Sequence, residues 1–242
     1  MEIINAIVLK STDYKDNDKI VTLFSAERGK VTVNVKGVKK AGAKLKFCVQ
    51  PFCFAEYVLA EKNGRYTVTQ STLYDSFFDL SGDLQKYYAG IAVLDFLNSF
   101  VLENEENGEL FALTVTSLKR LAYENLSPKL VLVRFLVDAL KICGFGFVTD
   151  GCGNCGKEIK DRVFLDSVSG ACLCEDCKKE GDIEFSVKTY RFIEKVSRAE
   201  NLGETECDEL ILKKALKLLS YYMFIDTETE SETLNKIIKS DF

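Results

Sequence analysis

The spacing of apolar residues changes period once along this chain, and that change limits the architectures open to it. Up to about residue 80, apolar and polar residues alternate, most clearly in Val31-Thr32-Val33-Asn34-Val35 and Tyr66-Thr67-Val68-Thr69, as half-buried strands require. Strands are predicted over residues 2–10, 19–25, 30–35, 52–61 and 65–71, with turns at Gly29 and Asn63-Gly64. Five short strands suit a small closed or nearly closed barrel, of the OB-fold or SH3-like kind. After Ser81-Gly82-Asp83 the period becomes helical, with Leu84, Tyr87, Tyr88, Ile91, Leu94 and Leu97 on one stripe. Further helices are predicted over 108–124, 128–143, 186–198 and 208–224, and Pro128 is well placed to begin the second of these. A cysteine-rich segment over 150–179 interrupts them. The expected class is α+β: a barrel over 1–80, a helical bundle over 81–149 and 181–242, and a metal-binding insertion over 150–180.

The insertion carries Cys152-Gly153-Asn154-Cys155 and Cys174-Glu175-Asp176-Cys177, two C-x2-C pairs separated by eighteen residues. That is the spacing of a four-thiolate zinc site. Glycines at 153 and 156 relax the first turn. Full coordination leaves no position for water, so one structural Zn²⁺ per chain is expected, with Cys172 a nearby thiol that could replace Cys174. Cys48, Cys53, Cys143 and Cys207 read as plain core or surface thiols. An odd total of nine cysteines argues against a disulfide framework and for a reducing compartment. Histidine is absent, which removes every Ser-His or Cys-His nucleophile pair and the commonest general base.

Formal net charge is −5, yet Arg28, Lys30, Lys36, Lys39, Lys40, Lys44 and Lys46 occupy nineteen residues without one acid. Such asymmetry points to phosphates as the partner. A lysine loop at a barrel rim gives sequence-independent, salt-sensitive binding of nucleic acid. Barrel aromatics such as Phe47, Phe52, Phe54, Tyr57 or Tyr66 are candidates for base stacking. Residues 37–44 are not a Walker loop, because Lys44 is followed by Leu45 and no helix is predicted next. Asp13, Asp16 and Asp18 are a carboxylate cluster, best read as a solvated turn. Glu103, Glu105 and Glu106 read as a polar loop. With 47% hydrophobic and 29% charged residues, no apolar run near membrane-spanning length and no signal-peptide pattern, a globular cytoplasmic protein is expected.

Taken in order, Ala6-Ile7-Val8-Leu9, Tyr14 with Asp18, Ile20 to Ser25, Gly29-Lys30, Lys36-Gly37-Val38-Lys39-Lys40 and Gln50-Pro51-Phe52 resemble the bacterial recombination mediator family RecO. The resemblance extends through Gly170 and the Cys174-x-x-Cys177 pair over the whole chain. Asp16 and Ala43 depart from it, standing where the family commonly has glutamate and serine.

The resemblance implies an N-terminal OB-fold barrel, a helical bundle and an interposed zinc module. It implies a non-enzymatic role in the RecF pathway: binding single- and double-stranded DNA, annealing strands coated by single-strand-binding protein, and helping RecR load RecA. The seven cations from Arg28 to Lys46 are then expected on DNA phosphates. The C-terminal tail of single-strand-binding protein is expected on the bundle, beside Lys213, Lys214 and Lys217 or Arg191, Lys195 and Arg198. The role implies association with the nucleoid and none with membranes. Two other readings remain open at this point: a zinc-stabilised scaffold whose barrel binds protein rather than DNA, and a metal-dependent nuclease using the three aspartates.

Overall fold

The computed structural model describes residues 1–145, 151–166, 168–227 and 231–239. The chain forms two compact units, Met1–Tyr123 and Glu124–Phe242.

Five strands make the first unit's sheet: β1 (Glu2–Tyr14), β2 (Asp18–Ser25), β3 (Gly29–Val35), β4 (Phe54–Lys62) and β5 (Arg65–Asp75). They close into a barrel in the order β1-β2-β3-β5-β4, with β4 returning to β1. All pairs are antiparallel except β3 with β5, which run parallel through Val33↔Tyr66 and Asn34↔Thr67. This strand order is that of an OB-fold and removes the SH3-like alternative. The alternation legible in the sequence fills the interior with Ile4, Ala6, Val8, Val21, Leu23, Val31, Val33, Val35, Leu59 and Val68. Tyr57 is fully buried among them and donates its hydroxyl to the Cys48 carbonyl at 3.1 Å. β1 and β5 run four residues beyond their predicted ends, because pairing with β2 and β4 holds residues 11–14 and 72–75, in which no apolar alternation is legible.

Two helices, α1 (Leu84–Phe100) and α2 (Gly108–Tyr123), belong with the barrel. They cover its outer face, where Phe111 meets Phe24 and Phe54 edge-on at 5.5 and 5.8 Å. The stripe predicted for α1 holds in its second half, where Leu94 and Leu97 are buried, but not in its first. Leu84 and Tyr87 are exposed, and the helix buries Ala89, Gly90, Val93, Phe96 and Leu97, whose small members allow close approach. Gly29 opens β3 at φ +57°, and a Cβ there would lie 2.4 Å from the Leu102 carbonyl oxygen. Lys30 donates its backbone N–H to that same carbonyl at 3.0 Å.

The second unit is built on α3 (Pro128–Ile142), buried on nearly every side through Leu130, Val131, Leu132, Val133, Phe135, Leu136 and Leu140. Packed with it are α4 (Val187–Arg198) and α5 (Glu209–Thr227), and α6 (Glu232–Lys239) packs on α5. Between α3 and α4 lies a three-stranded antiparallel sheet, β7-β6-β8, from β6 (Val163–Leu165), β7 (Cys172–Leu173) and β8 (Ile183–Phe185). Neither α6 nor this sheet was predicted; its strands are three residues or fewer, too short for a period to register. The expected border at 149/150 lies outside the described residues.

Gly29→Ala is expected to destabilise the protein by more than Gly42→Ala in urea unfolding. Both sites have positive φ, worth roughly 1–3 kcal/mol of strain, but only Gly29 faces backbone atoms while Gly42 faces open space.

Candidate metal centre and nucleic-acid interface

Cys152 and Cys155 flank a tight turn closed by Gly156 N–H donating to the Cys152 carbonyl at 2.8 Å. The turn is fixed to β7 by Gly153 N–H donating to the Cys172 carbonyl, also at 2.8 Å. The two glycines serve differently: Gly156 has φ +70°, whereas Gly153 is needed for room, since a Cβ would come within 2.6 Å of that of Ala171. On the other side Cys177 N–H donates to the Cys174 carbonyl at 3.0 Å. The four sulfurs lie within 4.8 Å of one another, with Cys155 and Cys174 3.8 Å apart. An ion bound tetrahedrally at about 2.3 Å from each thiolate needs sulfur–sulfur edges of about 3.8 Å, so the donor set fits. Among the described residues it is the one group of three or more such side chains able to hold a metal ion.

Burial raises the Cys152 thiol, but the backbone N–H groups of Cys174, Cys155 and Asn154 outweigh it and bring the group down to about 6. The neighbouring Cys174 thiol moves the other way, up to about 12, through burial and its bonds to the other sulfurs. Cys172 is excluded from the set: it lies fully buried in β7 opposite Leu165, its thiol pushed up to about 12 by burial. Cys48 and Cys53 are buried in the barrel and likewise pushed up, to about 12 and about 11. Beside the cluster, Asp166 accepts from Lys179 at 2.9 Å and from the Val168 N–H at 3.0 Å, which hold its carboxyl well below the usual range.

The seven cations predicted to hold phosphates divide into two sets. Arg28 is fully engaged: it donates to both Glu2 carboxylate oxygens at 2.9 Å, to the Tyr66 hydroxyl at 2.9 Å and to Asn104 Oδ1 at 2.8 Å. Lys30 is half-buried and donates to the Asn98 carbonyl in the last turn of α1 at 2.9 Å, completing that helix end. Lys39 pairs with Asp13 at 2.7 Å. Lys36, Lys40, Lys44 and Lys46 are exposed and have no ionic partner among the described residues.

The segment carrying them is not the flexible rim expected from its small residues. Val38 is buried in the barrel core, Leu45 and Phe47 pack against it, and successive turns bond Lys40 to Gly37, Ala43 to Lys40 and Lys46 to Ala43. Gly37 N–H donates to Asp18 Oδ1 at 2.8 Å, and Lys39 N–H to the Asn17 carbonyl at 3.0 Å. Asp13 also pairs with Lys19 at 3.1 Å, and Lys39 and then Lys19 hold its carboxyl below the usual range. With Asp13 and Asp18 so committed, the three aspartates do not form a metal site.

A groove that the sequence reading missed lies on β2 and β3, between the β1–β2 turn and the Asn63-Gly64 turn joining β4 to β5. Its volume is about 900 Å³, and its walls hold Lys15, Lys36, Lys62, Arg65, Tyr14 and Tyr66 with no carboxylate. Lys15 stands over the Tyr14 ring at 5.2 Å. Of the aromatics predicted to stack bases, Tyr66 alone is in the groove; Phe52 and Tyr57 are buried, and Phe54 packs on Phe111 and Tyr74. The signal available was the pair of cations flanking Asn63-Gly64, but nothing local ties them to Lys15 some fifty residues earlier.

In the second unit Arg191 is spent on Glu194, Glu158 and the Ile159 carbonyl. Arg198 pairs with Glu194 at 3.3 Å, and Lys213 lies 3.9 Å from Glu209. Lys214 and Lys217 are exposed on α5. Lys195 and Arg198 share a depression with Glu200, Asn201 and Glu204.

Barrel order and thiolate cluster together define an OB-fold protein whose helical second unit carries a four-cysteine cluster able to hold a metal ion. The family model "Recombination protein O N terminal" matches residues 1–77, and "Recombination protein O C terminal" matches 81–228. The chain therefore belongs to the RecO family of DNA repair and recombination proteins. Curated relatives include the DNA repair protein RecO of Clostridium novyi, 30% identical over 90% of this chain and 86% of that protein. That of Desulforamulus reducens is 29% identical over 98% and 95% respectively, and that of Acetivibrio thermocellus 26% over 90% and 89%. Among the described residues, no helix is long and apolar enough to cross a membrane.

Cys155→Ser is expected to abolish stoichiometric metal binding and lower the melting temperature, whereas Cys172→Ala keeps the metal and loses only packing. Metal analysis of the two purified variants separates these outcomes. Because thiolate ligands must be deprotonated, any bound metal is expected to be retained at neutral pH and lost progressively on acidification.

Proposed function

We propose that this protein is a non-enzymatic recombination mediator that holds DNA strands by their phosphates and leaves the bases free to pair. The observation that carries the reading is the groove between the two barrel turns, with four cations, two tyrosines and no carboxylate. Lysine and arginine there displace counterions from phosphates, and Tyr14, exposed at the groove's edge, offers a face for sequence-tolerant stacking, while Tyr66 packs on the core with the Arg28 guanidinium 5.3 Å from its ring. Exposed Lys40, Lys44 and Lys46 on the ordered segment after β3 extend this surface, while Arg28 and Lys30 serve mainly to build it. Both single and double strands are substrates of such backbone binding.

Family membership supports the rest of the role: annealing of strands coated by single-strand-binding protein, and work with RecR in loading RecA. Lys195 and Lys217, exposed on the second unit, are the cations proposed to receive the acidic tail of single-strand-binding protein. The four-thiolate cluster of Cys152, Cys155, Cys174 and Cys177 is proposed to hold Zn²⁺, which suits soft tetrahedral sulfur donors and takes no part in chemistry. Free, buried thiols in the barrel fit the reducing cytoplasm, with the protein associated with the nucleoid.

The test is annealing of complementary oligonucleotides precoated with single-strand-binding protein, without ATP. The wild-type protein should accelerate it. Lys36→Gln with Arg65→Gln should weaken binding to bare single strands about tenfold at low salt and flatten the salt dependence by roughly 0.7 for each phosphate no longer neutralised. Unchanged affinity and slope in that variant would remove the groove from the reading.

A further inference from the structure

The Asp13 carboxylate sits where two ammonium groups converge. Its Oδ1 is 3.1 Å from Lys19 Nζ and its Oδ2 2.7 Å from Lys39 Nζ, and the Asp13 side chain is 59% exposed. A backbone phosphate offers the same things as this carboxylate: one negative charge spread over two oxygens, each an acceptor for an ammonium N–H. The two lysines come from different elements. Lys19 faces Asp13 across the β1–β2 pair, and Lys39 arrives from the segment after β3. That segment does not depend on the carboxylate for its position, because Gly37 N–H is bound to Asp18, Lys39 N–H to the Asn17 carbonyl, and Val38 is anchored in the core.

We propose that Asp13 occupies a phosphate subsite between Lys19 and Lys39, and that a DNA strand enters the subsite by exchanging its phosphate for this carboxylate. The inference rests on the DNA-binding reading above and adds to it an internal competitor. An exposed ion pair is weak and screened by salt, so the exchange is accessible to a strand already held by neighbouring lysines. Its consequence is restraint: each strand must displace an anion already in place, which lowers affinity and leaves the strand free to leave once paired. Lys19, outside the run of cations legible in the sequence, thereby becomes a phosphate ligand.

The experiment is titration of a fluorescent thymidine oligonucleotide with full-length protein between about 50 and 200 mM salt. Asp13→Asn should bind about three- to tenfold more tightly at the low-salt end. Its salt slope should steepen by roughly 0.7 for each lysine released to a phosphate. Asp16→Asn makes the same change in net charge nearby, in the β1–β2 turn, without freeing a lysine, and should keep the wild-type slope. Lys39→Gln should cost more affinity in the Asp13→Asn background than in the wild type. Asp13→Ser is measured alongside, with thermal melts of both, so that a folding defect peculiar to one substitution does not decide the result. Binding by the wild-type protein with Asp13 variants of equal or lower affinity and unchanged slope would overturn the exchange alone. Failure of the wild-type protein to bind single strands at all would overturn the proposed function and the exchange with it.

Discussion

Two residue pairs, Val33↔Tyr66 and Asn34↔Thr67, close the barrel where β3 runs parallel to β5. All other strand pairings in it are antiparallel. Parallel pairing cannot be made by a hairpin, so this seam depends on the chain between the two strands returning in register. Much of the first unit follows from it. The seam brings the turn at Asn63-Gly64 beside Tyr14 and Lys15, which creates the groove, and it sets Tyr66 where its hydroxyl accepts from Arg28. Segment 36–53, which spans the gap, fills the barrel end with Val38, Cys48 and Val49 and leaves its lysines outside.

The charge distribution shows why a count of cations is a poor map of a phosphate site. A net charge of −5 conceals the basic run, and the run in turn conceals a division of labour. Arg28 meets a carboxylate, a phenol and an amide at once, and Lys30 satisfies a helix-end carbonyl. These hydrogen bonds hold the barrel to the loop after α1; a phosphate would have to break them. The unpaired cations come from three separate segments and share a surface only through tertiary structure. In the second unit a different interaction organises a segment poor in apolar side chains: four sulfurs converge on one point while short strands of three residues or fewer pair around them. A metal ion held there would contribute folding energy directly.

How far the sequence predicted the molecule depends on whether a feature was encoded locally. Alternation in β3 and β5 predicted strands with inward-facing valines correctly, and the cysteine spacing predicted the four thiols that the fold brings together, because both signals repeat over a few residues. The final residues of β1, polar and without pattern, are strand only because β2 lies beside them. Leu94 and Leu97 of the predicted α1 stripe are buried, but its first half was misjudged because the interior side there is lined by Ala89, Gly90 and Ala92, which carry little hydrophobic signal. Tyr57 and Phe52, plausible stacking residues by type, are core. Lys15, Lys62 and Arg65 could not be grouped by inspection, since their proximity is a product of barrel closure.

The measurement that bears most directly on the barrel groove as the DNA surface is backbone hydrogen exchange of the whole protein with and without a single-stranded oligonucleotide at low salt. The account predicts slowed exchange at the β1–β2 turn around Lys15, along β3 to Lys36, and at the Lys62 to Arg65 turn, with the four-cysteine module unaffected. Protection confined to the second unit, with the barrel turns exchanging at their free rates, would contradict it.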